Sequence, residues 1–107
     1  MKNEPFVDVI MPNYNKGDFL NESINSVLKQ EYKNWNLFII DNSSEDESKK
    51  VLRSFEDKLN KIKIIYLSKN MGVAFSRNLG IRVSDSEYIS FLDSDDYWSS
   101  NKLLDQI

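Results

Sequence analysis

VDVIMPNYNKGDFLNESINSVLKQ, residues Val7 to Gln30, changes its hydrophobic period part-way along, and that change decides the fold class. Val7 to Met11 is a short apolar run with the length and β-branched content of a strand. Pro12 cannot donate to a ladder and is expected to stop it. After the loop Asn13 to Gly17, residues Phe19, Leu20, Ile24, Val27 and Leu28 recur with the spacing of one helical face. Asp18 stands where a side chain would cap the first free N–H groups of that helix. A strand feeding a helix through a short polar loop is the opening half of a βαβ unit.

The same alternation recurs along the chain. Leu37 to Ile40 reads as a strand ending at Asp41, and Ser44 with Glu47 matches a capping box ahead of the apolar stripe Val51, Leu52, Phe55 and Leu59. Ile62 to Leu67 reads as a third strand, and Ala74, Phe75, Leu79 and Ile81 supply a buried face for a helix over 73–83. Tyr88 to Leu92 reads as a fourth strand. Beyond its acidic turn, Ser99 or Ser100 caps a helix containing Leu103, Leu104 and Ile107. Strands alternating with helices predict an α/β fold with a doubly wound, mostly parallel sheet, and right-handed crossovers favour strand order 3-2-1-4. In such sheets ligands bind at the carboxyl ends of the strands, where the order reverses. The reversal between strands one and four gathers Pro12, Asn13, Tyr14, Asp41, Asp93, Asp95 and Asp96 into one crevice.

Composition narrows the chemistry. The 107 residues, 40% hydrophobic and 29% charged, suit one soluble globular domain spanning 1–107. A net charge of −3 with scattered lysines argues against a nucleic-acid surface. The chain has no cysteine and no histidine, so disulfides, thiolate or imidazole metal ligands and a histidine base are excluded. Any metal must be held by oxygen. No apolar run approaches the roughly 20 residues that span a bilayer, and the amino terminus lacks the pattern of a signal peptide. The expected setting is cytoplasmic, with attachment to the cytoplasmic face of a membrane open to a longer protein.

FLDSDDYW, Phe91 to Trp98, sets three carboxylates directly behind the fourth strand. Such groups repel one another unless a cation compensates them, and a hard divalent ion held by one or two carboxylates keeps positions open for substrate phosphates. The alternative is a polar turn before a capped helix. A calcium loop starting at Asp93 fails, because Trp98 stands where a glycine is required and Leu104 where a bidentate glutamate is required. A receiver-like phosphoacceptor domain would carry an acidic pair after strand one, where Pro12, Asn13 and Tyr14 stand. A dinucleotide fold would need a glycine-rich turn there, and only Gly17 is present. Three further residues have two readings each. Tyr14 either covers the sheet edge or stacks a planar base. Asp41 either caps helix two or accepts an imide N–H. Arg77 either pairs with a surface carboxylate or, at the crevice, binds phosphate or orients Asp41.

Taken together, VDVIMPNYNKGDFLNESINSVLKQ, LFIIDNSSED, NMGVAFSRNLGI and EYISFLDSDDYW resemble, in order and over nearly the whole chain, the nucleotide-binding half of a family-2 glycosyltransferase of the GT-A fold. The resemblance implies an inverting transfer from a nucleotide-sugar donor, usually a UDP-sugar, with a divalent cation, Mn²⁺ or Mg²⁺. The implied setting is polysaccharide biosynthesis, with a sugar, lipid or protein acceptor. By position, Tyr14 would lie against the base, with Pro12 and Asn13 shaping the loop. Asp41 would read the base N3–H, and Arg77 would lie beside the nucleotide. Asp93 and Ser94 would lie near the ribose or diphosphate. Asp95 would lead the metal ligands, with Asp93 and Asp96 as further candidates. Many members carry a second acid and a glycine where this chain has Asn42 and Ser43. The family's general base lies beyond the position of Ile107. Asp105 is the sole acid after Asp96 and reads as a surface residue, so the expectation is a donor-binding part that does not complete transfer by itself. The competing expectation is a non-catalytic nucleotide-binding or interaction module that forms a homodimer through apolar surface left bare.

Overall fold

A computed structural model of the protein describes residues 4–56 and 60–107. The element order is β1 (Val7–Asn13), α1 (Gly17–Leu28), β2 (Trp35–Asp41), α2 (Ser48–Phe55), β3 (Ile62–Tyr66), α3 (Val73–Val83), β4 (Tyr88–Phe91) and α4 (Lys102–Gln106). All pairings are parallel and the sheet order is β3-β2-β1-β4, as the alternation predicts.

Strand β1 departs from expectation by running through Pro12 to Asn13. The reason is the alternating direction of backbone groups in a parallel ladder. Ile10 O accepts Leu92 N–H on the β4 side and Asn13 O accepts Asn42 N–H on the β2 side, so Pro12 presents its nitrogen toward β4. The β4 pairing has ended by then, with Ile10 opposite Phe91 as its last pair. The missing donor therefore breaks no bond.

Alternation along the central strands builds two cores. Val7, Val9 and Met11 of β1, with Leu37 and Ile39 of β2, meet Leu20, Ile24 and Val27 of α1 and Leu52 and Phe55 of α2. Ile10, Phe38 and Ile40 face the other way, against Ile65, Leu67 and Leu79. Each fully buried aliphatic side chain contributes about 1.5–3 kcal/mol relative to exposure. Asp8 interrupts the apolar run of β1 and is nonetheless fully buried. It accepts hydrogen bonds from Ser84, Ser86 and Asn36, tying the end of α3 to the sheet. Burial raises its carboxyl pKa, but those three partners outweigh it and hold the group below its ordinary range.

Several local expectations fail for a common reason: tertiary packing supplies what the local sequence does not. Asp18 lies inside α1 and makes no cap, and Phe19 is exposed. Ser44 and Glu47 make no capping box, since α2 starts at Ser48 without a side-chain bond from Glu47. Leu59 lies outside the described residues. Neither Ser99 nor Ser100 caps α4; buried Gln30, two residues past the end of α1, does so, its Oε1 accepting Leu103 N–H at 3.0 Å. Only Leu103 of the expected α4 residues is buried.

Helix α3 buries Ser76 and Gly80, with Leu79 partly covered, while Ala74, Phe75 and Ile81 face outward. Small residues win this face because the helix lies directly against the Ile10 side chain of β1. A Cβ on Gly80 would stand 2.3 Å from Ile10 Cγ2. Gly80→Ala is therefore expected to destabilise the fold by about 1–3 kcal/mol through overpacking, measured as a fall in the urea midpoint with an unchanged slope.

Candidate functional site

Behind the carboxyl ends of β1, β2 and β4 lies a crevice of about 440 Å³. Of the residues singled out from sequence, Pro12, Asn13, Tyr14, Arg77, Asp93, Ser94 and Asp95 line it. Asp96 lies instead in an adjoining depression shared with Arg77 and Asp93. Asp41 does not line the crevice. It is fully buried, and its carboxylate accepts from Asn13 Nδ2 (2.9 Å), Ser44 Oγ (2.6 Å) and Ser44 N (3.2 Å). Lys16, Asn42, Asn70, Gly72 and Val73 line the crevice without having been predicted.

The two loops that form one wall are bonded to each other. Asn15 adopts a left-handed conformation, φ 52°, and its Oδ1 accepts Glu45 N–H at 2.7 Å while its own N–H reaches Ser44 Oγ. Asparagine tolerates this conformation better than other non-glycine residues. Asp46 then joins two helices. Its Oδ2 accepts Gly17 N–H at 2.9 Å and its Oδ1 accepts Ser48 N–H at 2.8 Å, so one carboxylate serves the positive N-termini of both α1 and α2. Burial pushes this carboxyl up, but the bonds from Ser48 and Gly17 bring it below its ordinary value.

The opposite charge pattern belongs to the acidic turn. Asp96 N–H donates to Asp93 O at 2.9 Å, closing the turn. Helix α1 holds it in place: Ser23 Oγ reaches Asp93 O, and Ser26 Oγ accepts Trp98 N–H at 3.1 Å. Two cations answer the acids, with Arg77 Nη2 at 3.1 Å from Asp93 Oδ1 and Lys16 Nζ at 3.7 Å from Asp95 Oδ2. Both pairs are substantially exposed and contribute little stability. Two buried atoms of the crevice residues have no partner among the described residues, the acceptor Asn13 Oδ1 and the donor Arg77 Nε. Such atoms are ordinarily satisfied by ordered water or a ligand.

Gly72 sits where the chain enters α3, with φ 86° and ψ 159°, a region essentially confined to glycine. There is open space around it, so backbone conformation and not crowding demands the glycine. Tyr14 is 39% exposed and free to meet a planar ligand. One carboxylate oxygen from each of Asp93, Asp95 and Asp96 lies within 4.8 Å of the others. An octahedral hard cation with bonds of about 2.1 Å spans oxygens up to about 4.2 Å apart. Small side-chain rotations would therefore bring these oxygens to a divalent ion, and the donor set is the kind such an ion prefers.

This strand order, loop geometry and acidic turn coincide with a known group. The family model of glycosyl transferase family 2 matches residues 8–107. The chain belongs to that family. WfgD of Escherichia coli, named a UDP-Glc:alpha-D-GlcNAc-diphosphoundecaprenol beta-1,3-glucosyltransferase, is 41% identical over 101 residues, covering 94% of this chain and 39% of WfgD. TuaG of Bacillus subtilis, provisionally named a teichuronic acid biosynthesis glycosyltransferase, is 36% identical over 104 residues, 97% of this chain and 41% of TuaG. The structure of S. aureus TarS 1-349 in complex with UDP-GlcNAc aligns with a TM-score of 0.86 at 30% identity, over 94% of this chain and 30% of that one. The fold is thus that of the GT-A glycosyltransferases, and the chain spans about two-fifths of the curated relatives.

Within this family-2 domain, the residues missed from sequence had weak signals. Lys16 and Asn70 are ordinary loop residues in sequence, and Asn42 was noticed only as a departure from the usual acid. Asp46 was hidden because its partners, Gly17 and Ser48, lie on different elements. Asp46→Ala is expected to cost about 1–2 kcal/mol for each cap lost. Because the folded pKa lies below the unfolded one, the carboxylate contributes fully above the ordinary value of 3.8 and progressively less as pH falls through the folded value. Thermal melts across pH 2–7 should therefore show the deficit of the variant near neutrality and its narrowing in acid.

Proposed function

We propose that this domain binds a nucleoside-diphosphate sugar, a UDP-sugar foremost, for a cation-assisted inverting transfer to an acceptor hydroxyl. The observation that carries the reading is the convergence, at one crevice, of an exposed aromatic ring, two cations and an acidic turn. Tyr14 offers its face to the base. Lys16 and Arg77 are placed to neutralise diphosphate oxygens. Asp95, with Asp93 and Asp96, would hold Mn²⁺ or Mg²⁺. When bound, the ion would stabilise the charge that develops on the leaving diphosphate.

In the transfer, the bond from the anomeric carbon to the diphosphate oxygen breaks, and its electron pair leaves with the nucleotide. The acceptor oxygen forms the new bond from the opposite face and gives up its proton. That proton requires a general base within hydrogen-bond reach. The crevice acids are assigned to the cation, and Asp105 is an exposed residue of α4 that does not line the crevice. We assign the base, and the acceptor surface, to the portion of the longer relatives that this chain does not span.

The UDP-Glc in the name of WfgD and the UDP-GlcNAc in the TarS complex support a UDP-sugar donor. The diphosphoundecaprenol in the name of WfgD supports a lipid-linked saccharide acceptor. Among the described residues, no helix is long and apolar enough to cross a membrane. Titration calorimetry with UDP and Mn²⁺ tests the donor site. Binding at one site is expected, abolished by chelation and weakened about tenfold, or ~1.4 kcal/mol, by Asp95→Asn. A folded protein that binds no UDP with the metal present would sink the assignment.

A second reading has its own observation. Tyr88, Ile89 and Phe91 on β4, with Val73, Phe75, Ile81 and Val83 on α3, are exposed, and β4 is an edge of the sheet. An apolar edge of this kind favours pairing with further polypeptide or a second copy. Sedimentation velocity over a concentration series is expected to show reversible dimers of the 107-residue chain; a monomer at all concentrations refutes self-association.

A further inference from the structure

Helix α1 and the far side of the acidic turn enclose a second depression, of about 430 Å³, that shares no residue with the donor crevice. Small-ligand sites span roughly 300–1,000 Å³, so the space suffices for a ligand. Asn21 and Asn25 stand one turn apart on α1, with Glu22 beside them and Lys29 at the helix end. Tyr97 and Ser100 form the other wall. Buried Ser26 and half-buried Trp98 join the two, Ser26 Oγ accepting Trp98 N–H at 3.1 Å. Gln30 Nε2 also donates to Ser99 O at 2.6 Å, and Glu31 N–H donates to Ser100 O at 2.8 Å. The walls are thus fixed to each other before any ligand arrives, which lowers the cost of ordering on binding.

The fold leaves the side chains of this groove unused. Asn25 Nδ2 donates to Asn21 O at 2.9 Å. A backbone carbonyl only accepts, so the amide is fixed in that sense, and Asn25 Oδ1 remains an acceptor with no partner among the described residues. The side chains of Asn21, Glu22, Lys29 and Tyr97 likewise make no hydrogen bond or ion pair among the described residues. Tyr97 is 67% exposed, more than any other exposed large hydrophobic side chain described. A ring left in water to that degree adds little to the core. One acid and one base, Glu22 and Lys29, balance in formal charge, whereas a phosphate ligand calls for clustered cations. Hydroxyl groups both donate and accept, so they pair with amides and a carboxylate alike. The C–H face of a pyranose ring matches the face of an aromatic side chain that also carries a polar tip.

We infer that this groove binds a neutral saccharide, with Tyr97 stacking on a pyranose ring and Asn21, Glu22 and Asn25 bonding its hydroxyls. The site lies outside the donor crevice and needs no nucleotide, so it stands independently of the donor-binding reading. In a member of a glycosyltransferase family, such a groove suits sugar units of a glycan that are distant from the reacting end.

The test is a titration of the isotopically labelled 107-residue chain, followed by two-dimensional NMR, with cellobiose and with its N-acetylamino counterpart chitobiose. Sorbitol, which has hydroxyls but no pyranose ring, serves as control. Saturable shifts are expected with at least one disaccharide at residues 21–29 and 97–100, and not with sorbitol. Tyr97→Ala is expected to weaken that binding at least fivefold, whereas Tyr97→Phe, which keeps the ring, stays within twofold of the wild type. Asn21→Ala is expected to weaken it at least threefold while leaving UDP affinity with Mn²⁺ within twofold, a split that general unfolding would not produce. The inference is overturned by the absence of saturable shifts with both disaccharides, by equal shifts with sorbitol, or by shifts confined to the crevice residues. Undiminished binding by Tyr97→Ala overturns it as well.

Discussion

The structure depends on the buried hydrogen bonds that fasten the carboxyl end of β1 to that of β2. Asn13, Asp41 and Ser44 form the innermost part. Asn15 and Asp46 extend it to the loops and to the first turns of α1 and α2. A parallel sheet sets all its strand-to-helix loops at one end, where each helix N-terminus leaves N–H groups without intrahelical partners. Asp46 answers two such ends at once, with a charge that also complements both helix dipoles. The same bonds turn two separate loops into a single crevice wall, so stability and site geometry have a common origin.

The other half of the crevice is held from α1. That helix buries apolar Leu20, Ile24 and Val27, but it also buries Ser23 and Ser26, and Gln30 is buried just past its end. These three polar residues reach Asp93, Trp98 and Leu103 respectively, and Gln30 further donates to Ser99 O at 2.6 Å. An acidic turn would otherwise be a mobile surface loop. Here its backbone is pinned by bonds that do not use the carboxylates. Lys16 and Arg77 partly balance those carboxylates from across the crevice residues, so the same side chains that would neutralise phosphate now limit repulsion within the turn.

Helix α3 shows how a fold can override local pattern. Its apolar residues suggested an inward face of Ala74, Phe75, Leu79 and Ile81, whereas the buried residues are Ser76 and Gly80, with Leu79 packed beside them on the Ile10 cluster. The close approach selects for small side chains, and the bulky ones are left outside beside the exposed residues of β4. The glycine at the start of the helix, Gly72, has a different task, since its backbone angles direct the chain from the crevice rim into the helix.

Much of this was legible along the chain. The change of period within Val7–Gln30, repeated behind each apolar run, determined an α/β class, and the handedness of crossovers then left few topologies. The ordered motifs determined the family, and the lack of cysteine and histidine left oxygen as the ligand type for any metal. The sequence could not decide which of two adjacent residues lines the crevice. Asp41 and Asn42 differ by one position, and a strand sends successive side chains to opposite sides. Only the packed structure shows Asp41 spent on Asn13 and Ser44, and Asn42 at the crevice. Helix caps were equally out of reach, because Asp46 and Gln30 act across 29 and 73 residues of chain. A periodic pattern reports which face of an element is buried; the partner of a buried hydrogen bond is set by where distant elements come to rest.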